Sequence, residues 1–578
     1  MQHRPIVRRA LSIAGAAAVL AVAACSSSST SAPPASGGTS STAAAGAGMG
    51  SQPLVVESAE QSPLTETFNP LTASQSTGWT LHADDLMYEP LFLFNLMQPS
   101  QAPVPMLATA YSWSPDGKTL TLTTRTGVKW TDGQPFSAAD VAFTFNLIKQ
   151  YAATADVNGT PAPASATATG PNTVMITFPA PAAGSFYAIG SQQIVSQHIW
   201  QSVGDPSKYA DAHPVGTGPY VLSSFSPQKV TFKFNPKYWN ESAIHVPEVI
   251  FPGFATGTST AAVTSGQVDW AGNDIPNVQS VFTGASPSNH LWLSSTPYFA
   301  ANNVVTMWFN TTKAPLNDPK VRQAVAYAIN RQQLATQGES GYEAPATSSS
   351  GLLPSYQAMI SPQYNNDLAA TGDPAKAASI LTSDGWTKTG GKWMKNGQTL
   401  KFTVKDPSDF TDYFTDCQLI ARQLDAQGFD VTAVGEAGGY VPWNTDVQNG
   451  NFDATLHWSA GPIPYNNFQN WVDQTATAPI GTAASGNWGR FKDPAAQAAL
   501  NQLAAATTSS TQQSALNSLQ QVFATQVPET PVLYGALWAE WSTKNYTGWP
   551  SPSNPYSDPG PTNNQDVEFV LLHLAPAS

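Results

Sequence analysis

The stretch RTGVKWTDGQPFSAADVAFTF, residues 125–145, concentrates basic, acidic and hydroxyl side chains that could do acid–base chemistry. Its spacing favours a structural role. Ser137, followed three residues later by Asp140, matches a capping box, in which both side chains bind exposed amides at a helix start. Val141 and Phe145 then repeat at helical spacing and should face a core. We therefore expect a turn and a capped helix here rather than a catalytic site.

The rest of the chain contains no sequence motif typical of a metal site or of a catalytic nucleophile. The eight histidines include no HExxH motif and no pair at i, i+4, so the usual zinc sites are not predicted. No G-x-S-x-G elbow, P-loop or strand-linked dinucleotide fingerprint is present. Glycoside hydrolysis needs only two carboxylates, so a cleft enzyme stays open as an alternative. We predict a protein that is not an enzyme and has no cofactor or metal.

The two cysteines lie in very different surroundings. Cys25 closes the sequence VAAC and follows the basic segment MQHRPIVRR and the 15-residue apolar run ALSIAGAAAVLAVAA. That run is shorter than the roughly 20 residues that span a bilayer, and it suits an export signal. VAAC resembles a lipobox, which implies cleavage before Cys25 and lipidation of its thiol. An ordinary Ala-x-Ala signal is the alternative, and Arg8-Arg9 leaves Sec and twin-arginine export open.

Cys417 has no partner in the chain if Cys25 is lipidated. It lies at helical spacing from Tyr413, Ile420 and Leu424. We expect a buried apolar thiol.

Length and charge narrow the class of protein. A chain of 578 residues predicts two to four domains. The formal net charge is -13, and loss of the first 24 residues, which hold three arginines and no acid, gives -13 - 3 = -16. Such an acidic chain is not expected to bind nucleic acid. Charged residues are only 11%, which suits an exported protein with neutral polar ligands, although a compositional habit of the lineage explains it equally well.

Strand and helix patterns alternate along the body of the chain. Residues 26–50 read as a Ser/Gly/Ala/Pro tether, and the polar stretch 151–172 reads as a surface loop. No further apolar run of 18 residues appears. The alternation predicts an α/β protein with mixed sheets. Strands are predicted at LVVE (54–57), KVTFKF (229–234) and NVVTMWFN (303–310), and helices at 318–335, 373–386 and 416–429.

One long region resembles a known family. YSWSPDGKTLTLTTRTGVKWTDGQPFSAADVAFTF (111–145) resembles the signature of the family 5 extracellular solute-binding proteins, the peptide, nickel and oligosaccharide receptors of ABC importers. Further segments match in order, among them PVGTGPYVLSSFSPQKVTFKFNPKYW (214–239), MWFNTTKAPLNDPKVRQAVAYAINRQQL (307–334) and GNFDATLHW (450–458). The resemblance extends from about residue 53 to 549.

The resemblance implies an α/β, two-lobed periplasmic-binding-protein-like fold of class II, cluster C. The first lobe carries an extra domain, crossing strands form a hinge, and closure of the lobes buries the ligand. Mapped onto this chain, the expected parts are a signal peptide (1–24), a tether (25–50), first-lobe segments (51–83, 214–310 and 541–578), the extra domain (84–213) and the second lobe (311–540).

The same resemblance implies the partners and the location. The expected partners are an ABC permease and separate ATPase subunits, with membrane contact through the lipid anchor only. The protein is expected to be a monomer at the outer, periplasmic-side face of the cell membrane. A signalling receptor that couples to another partner is a further alternative.

The expected ligand is small, neutral and polar. Dipeptide receptors of the family hold the ligand amine with an Asp shortly after the Trp that corresponds to Trp458, and the carboxylate with an Arg in the loop before the helix that corresponds to DCQLIARQL (416–424). Here no acid follows Trp458 before Asp473, and the loop VKDPSDFTDY (404–413) has no Arg. A dipeptide would be buried with unpaired charges, which argues against a dipeptide specialist.

The segment GPIPYNNF (461–468) resembles instead the Gly-Pro-x-Pro-Tyr segment of oligosaccharide receptors, in which rings stack on sugars and amides bind hydroxyls. An oligosaccharide is slightly favoured over a longer oligopeptide. Each aromatic candidate could equally be a core residue. The predicted ligand-binding residues are Trp458, Tyr465, Asn466 and Asn467 in the second lobe, Phe68 and Asn69 in the first, and Trp79 and Trp443.

Overall fold

The computed structural model describes residues 48–157 and 159–578. The predicted signal peptide, Cys25 and most of the predicted tether lie outside these residues. None of the helices within them is both long and apolar enough to cross a bilayer. The described chain forms two compact units, an N-terminal unit (48–294, 507–509 and 538–578) and a middle unit (295–506 and 510–537). The individual lobe borders stay predictions.

The strands are β1 (Leu54–Glu57), β2 (Phe92–Leu93), β3 (Val104–Pro105), β4 (Ala108–Trp113), β5 (Thr119–Thr124), β6 (Ser165–Gly170), β7 (Thr173–Thr177), β8 (Tyr220–Ser226), β9 (Lys229–Phe234), β10 (Glu248–Pro252), β11 (Trp270–Ala271), β12 (Asn289–His290), β13 (Ala300–Phe309), β14 (Ala344–Pro345), β15 (Thr387–Thr389), β16 (Lys392–Lys395), β17 (Gln398–Thr399), β18 (Lys401–Pro407), β19 (Asp430–Glu436), β20 (Ala454–Trp458), β21 (Glu529–Leu537), β22 (Glu540–Ser542), β23 (Tyr546–Thr547) and β24 (Ala575–Pro576).

The α-helices are α1 (Thr77–Thr80), α2 (Asp84–Met87), α3 (Ala138–Gln150), α4 (Phe186–Gly190), α5 (Gln197–Trp200), α6 (Ser259–Thr264), α7 (Pro319–Ala328), α8 (Arg331–Gln333), α9 (Pro374–Ser383), α10 (Thr411–Ala426), α11 (Tyr440–Asn449), α12 (Pro464–Val472), α13 (Pro494–Ala504), α14 (Ser509–Gln526) and α15 (Asn564–Leu571). A π-helical segment, Leu334–Gly338, follows α8.

The N-terminal unit contains a seven-stranded sheet in the order β12-β22-β11-β1-β10-β9-β8 and a four-stranded antiparallel sheet, β4-β5-β7-β6. Helix α3 contacts β6 and β7 of the smaller sheet. The predicted capping box at its start is confirmed, because Ser137 Oγ accepts from the Ala139 amide and Asp140 Oδ2 from the Ser137 amide. Val141 and Phe145 are fully buried, so the opening stretch is structural.

The predicted loop at 151–172 is wrong in its last third. Strand β6 pairs antiparallel with β7, with Ala166 opposite Ile176. Its sequence, SATATG, has no large apolar residue, which hid the strand. Threonine is nevertheless a good strand residue on a half-exposed sheet face, and the neighbouring strand supplies the pairing.

The middle unit is built on a six-stranded sheet in the order β14-β21-β13-β20-β18-β19. Strand β18 runs parallel to both β19 and β20, whereas β13 is antiparallel to β20 and β21. One core joins this sheet to its helices, and Val404, Ile420 and Leu456 belong to it. Cys417 lies in the same core, fully buried, which confirms the prediction of a buried apolar thiol. The mixed α/β class with several sheets is confirmed.

The helix predicted at 318–335 is shorter than expected. Helix α7 ends at Ala328, and Ile329 has extended backbone angles. Asn330 then caps the next turn, with its Oδ1 accepting from the Gln333 amide at 3.0 Å. Asparagine offers the backbone this alternative to a continuous helix. The apolar periodicity of the stretch gave no sign of the break.

Candidate functional site

Three parallel strands of the middle unit end at the same edge of the sheet. Strands β18, β19 and β20 end at Pro407, Glu436 and Trp458, and short connections lead to α10, α11 and α12. In open α/β sheets, ligands bind outside the carboxyl ends of such strands. This edge is therefore the candidate binding region of the unit.

Each strand end or connection contributes an aromatic ring to this edge. Trp458 lies at the end of β20, Phe410 precedes α10, and Tyr440 opens α11. The centroid of the Trp458 ring is 6.2 Å from Phe410, 6.3 Å from Tyr440 and 6.1 Å from Tyr413. Trp458 is half-buried, and the other three rings keep 8–9% of their surface exposed. We call these four residues the ring cluster.

A second group of rings supports the ring cluster from the interior. Trp443 stacks on His457 at 5.1 Å with an interplanar angle of 11°, and the Trp443 indole donates a hydrogen bond to Thr455 Oγ1 at 2.9 Å. His457 lies 4.1 Å from Trp458, and its Nδ1 is 2.6 Å from the Trp458 carbonyl oxygen. Burial lowers the pKa of His457 to about 4, so its ring is neutral at pH 7. Trp443 is buried and acts here through packing.

The loop after Trp458 is held by hydrogen bonds. Ser459 Oγ accepts from the Val304 amide at 3.0 Å and donates to the Gly461 carbonyl. Asn467 Nδ2 donates to the same carbonyl at 3.0 Å. Gly461 has φ of +87°, a conformation that favours glycine. The loop thereby fixes where α12 begins.

Helix α12 carries the other predicted residues of this unit. Tyr465 is half-buried, and Asn466 and Asn467 are mostly buried. Asn467 Oδ1 has no hydrogen-bond partner, so a buried acceptor remains at the start of this helix. The loop bonds place Asn467 against Gly461, three residues beyond Trp458.

The predicted residues of the N-terminal unit have mainly structural contacts. Phe68 is fully buried and packs edge-on against Phe225 at 6.1 Å. Asn69 is fully buried, and its amide donates to the carbonyls of Pro206 and Tyr209 at 2.8 and 2.7 Å. Trp79, on α1, is half-buried. Phe68 and Asn69 expose no surface to a ligand in this structure, and their place among the ligand contacts stays a prediction.

A cluster of carboxyl groups lies close to the ring cluster, and sequence reasoning missed it. Asp406 and Asp416 are almost completely buried, and burial together with neighbouring carboxylates raises the pKa of both, that of Asp416 to about 8. The pKa of Glu339 is raised for the same two reasons. The signal was present in VKDPSDFTDY, which lacks Arg but holds three aspartates. We call Glu339, Glu343, Asp406, Asp412 and Asp416 the acidic cluster.

Metal binding is not indicated by the geometry of the described residues. Within 48–157 and 159–578, no three His, Cys, Asp or Glu side chains are grouped so that they could hold a metal ion.

A family model described as bacterial extracellular solute-binding proteins, family 5 Middle, matches residues 102–479. The nickel-binding periplasmic protein of Escherichia coli K12 is 26% identical over 435 residues, which are 71% of this chain and 78% of that protein. The glutathione-binding protein GsiB of Salmonella choleraesuis is 30% identical over 299 residues, 49% of this chain and 53% of GsiB.

Among solved structures, a periplasmic oligopeptide-binding protein of an oligopeptide ABC transporter from Thermotoga maritima matches with a TM-score of 0.79. The match is 24% identical and covers 91% of this chain and 99% of that chain. The mannohexaose-bound structure of the Thermotoga protein matches with a TM-score of 0.70 at 24% identity, covering 91% of this chain and 98% of that chain. These matches establish the fold.

Proposed function

The chain belongs to the family 5 bacterial extracellular solute-binding proteins, and we propose that it is the ligand-capturing component of an ABC importer. It binds a small ligand outside the cytoplasm and delivers it to a membrane permease. ATP hydrolysis belongs to separate subunits. The chain itself makes and breaks no bond in the ligand.

The ligand class that we propose is an oligosaccharide, with an oligopeptide as the second candidate. The observation that carries this is the ring cluster at the carboxyl edge of β18, β19 and β20. Aromatic rings supply broad apolar contact at low conformational cost, which suits sugar faces and peptide side chains alike. The Thermotoga protein is named for oligopeptides and was crystallised with mannohexaose, so one protein of this fold is associated with both oligopeptide and oligosaccharide ligands.

Trp458 is the central contact in this proposal, with Tyr465 and the amides of Asn466 and Asn467 around it. The unpartnered Asn467 Oδ1 supports a polar contact, because a buried acceptor gains from a ligand hydroxyl or amide. Trp443 positions Trp458 through His457 and does not need to touch the ligand.

We also propose that the protein acts as a monomer held at the membrane by lipid on Cys25. The sequence VAAC supports this anchor, and the Ser/Gly/Ala/Pro-rich residues 26–50 separate it in sequence from the folded body.

The test is thermal unfolding of the full-length protein against parallel panels of oligosaccharides and oligopeptides. A ligand at 100 times its dissociation constant adds about 2.7 kcal/mol of stability, which is readily visible as a shifted midpoint. We expect a shift with an oligosaccharide that is lost in Trp458→Ala and kept in Trp386→Ala, a buried tryptophan outside the ring cluster. A shift with peptides alone would favour an oligopeptide over an oligosaccharide as the ligand. No shift in either panel would contradict the proposed function.

A further inference from the structure

The acidic cluster and the ring cluster form one continuous region of the middle unit. Tyr413 joins them: its ring lies 6.1 Å from Trp458, and it stands between Asp412 and Asp416 on α10. Four members of the acidic cluster, all except Asp416, lie close enough to the Tyr413 phenol to raise its pKa by their charge. A ligand on the rings therefore also reaches the neighbourhood of the carboxyl groups.

Asp406 has a buried carboxyl oxygen without a hydrogen-bond partner, as does Asp416 at both of its oxygens. Asp406 is 1% exposed, and its unpaired oxygen is Oδ2. It lies near the carboxyl end of β18, two residues beyond Val404 and so on the same, core-facing side of the strand. The nearby charges that act on it, those of Asp409, Asp412 and Asp416, are all negative.

No lysine, arginine or histidine among the described residues forms an ion pair with Glu339, Asp406 or Asp416. Lys405 is adjacent in sequence, but its amine pairs with Glu436 at 2.6 Å and Asp446 at 2.8 Å. A buried carboxylate without a counter-charge is unfavourable. The cluster therefore favours the arrival of a positive charge.

Backbone geometry holds the carboxyl groups together. A Cβ atom on Gly338 would lie 1.9 Å from Asp416 Oδ1, so the chain approaches α10 this closely only because residue 338 is glycine. The approach sets Glu339 beside Asp416, and the charge of Asp416 is among the causes that raise the pKa of Glu339. The Ala536 amide donates a hydrogen bond to Glu343 Oε1 at 3.2 Å and so fixes the Glu343 carboxylate.

We propose that the acidic cluster receives a cationic nitrogen of the ligand, with Asp406 as its principal partner, while the ring cluster packs against the rest of the ligand. This inference rests on the function proposed above and narrows its ligand class. An ammonium group gains charge-assisted hydrogen bonds from carboxylates and cation–π attraction from rings. The nitrogen can belong to an amino sugar or to an amine of a peptide.

Two matched ligand pairs test the proposal on the full-length protein. One pair is glucosamine oligomers and N-acetylglucosamine oligomers of equal length, and the other is lysine-containing oligopeptides with free or fully acetylated amines. Titration calorimetry at neutral pH is expected to show at least about tenfold tighter binding of the charged member in one pair. The pair that shows the preference identifies the source of the nitrogen.

Single substitutions distinguish a ligand-binding role of the acidic cluster from a role in folding. Asp406→Asn is expected to remove the preference for the charged member and leave binding of the neutral member unchanged. Glu529→Gln is the matched control, because Glu529 is an equally buried acid of the same unit outside the acidic cluster. If Asp406→Asn does not fold, the half-exposed Asp412→Asn carries the same expectation.

Three results would contradict the proposal. Equal binding of charged and neutral members would overturn it while leaving the proposed function intact, and would mean that the cluster stays protonated and neutral. A preference that survives in both Asp406→Asn and Asp412→Asn would also overturn it. No binding of any of the four ligands would overturn both this inference and the proposed function.

Discussion

The ring of Tyr413 lies 6.1 Å from the ring of Trp458, centroid to centroid, at an interplanar angle of 43°. Tyr413 is on α10, which follows β18, and Trp458 closes β20. Because β18 and β20 are parallel neighbours, residues that follow one strand meet the end of the other. This pairing is what brings carboxyl groups and aromatic rings together in the middle unit.

The Trp443–Thr455 hydrogen bond should be measurable as a coupling energy. Trp443→Phe removes the indole donor and is expected to lower the free energy of unfolding by about 1 kcal/mol. Thr455→Val leaves the buried indole N–H without an acceptor and should cost roughly 1–3 kcal/mol. Urea unfolding of both single variants and the double variant measures the coupling. Strict additivity would show that the bond contributes nothing.

The N-terminal unit should lose stability as the pH rises from about 5 to 8. Burial raises the pKa of Asp85, Glu89 and Asp558 to about 7 and that of Asp211 to about 6. Above the unfolded-state pKa of about 4, the folded state then binds more protons than the unfolded state. Each such proton lowers the free energy of unfolding by about 1.4 kcal/mol per pH unit until the folded pKa is passed.

Thermal unfolding between pH 5 and 8 checks this dependence. Glu568→Gln should flatten it, because Glu568 is fully buried, has no hydrogen-bond partner at either oxygen, and has a raised pKa for the same reasons of burial and neighbouring carboxylates. Glu66→Gln, at an exposed position, should leave the slope unchanged. A midpoint that climbs steadily from pH 5 to 8 would contradict the assignment.

We expect substitution of Asn69 to lower the stability of the fold. Asn69→Ala removes the donors to the carbonyls of Pro206 and Tyr209, and buried groups left unpaired cost roughly 1–3 kcal/mol. Asn146→Ala breaks two comparable bonds at an exposed position, where water can replace them, and should cost less. Denaturation midpoints measure both. Lost ligand affinity with unchanged stability would instead support the original ligand-binding prediction.

We expect the thiol of Cys25 to be required for attachment of the protein to the membrane. Cys25→Ser removes the thiol that lipidation needs and is expected to move most of the protein from the membrane fraction into the soluble or secreted fraction. Ser26→Ala, beside it, should leave the distribution unchanged. Fractionation followed by immunoblotting gives the readout. Membrane retention of Cys25→Ser would show that another segment holds the chain.

Much of the fold could be predicted because local signals agreed with the tertiary structure. The capping box at Ser137, the strands at 54–57 and 229–234 and the helices α9 and α10 each follow from spacing and caps within a short window. Strand β6 and the break at Ile329 were missed, because the first depends on pairing with β7 and the second on one asparagine cap.

The candidate site was predictable in part. The segment GPIPYNNF and the tryptophan before it directed attention to Trp458, Tyr465, Asn466 and Asn467, although their contact with a ligand stays a prediction. The loop VKDPSDFTDY was read for the arginine that it lacks. Its aspartates give no local sign that Asp406 and Glu339, 67 positions apart in the chain, will both be buried close to Asp416.

By itself the sequence determined the family, the mixed α/β class and most of the local elements, since each rests on residues close together in the chain or on an ordered series of motifs. Only the tertiary structure decided which side chains meet. The parallel pairing of β18 with β19 and β20 aligns three strand ends, so Phe410, Tyr440 and Trp458 converge. Their spacing in the chain carries no sign of this, because the register between strands is fixed by the shared core beneath the sheet.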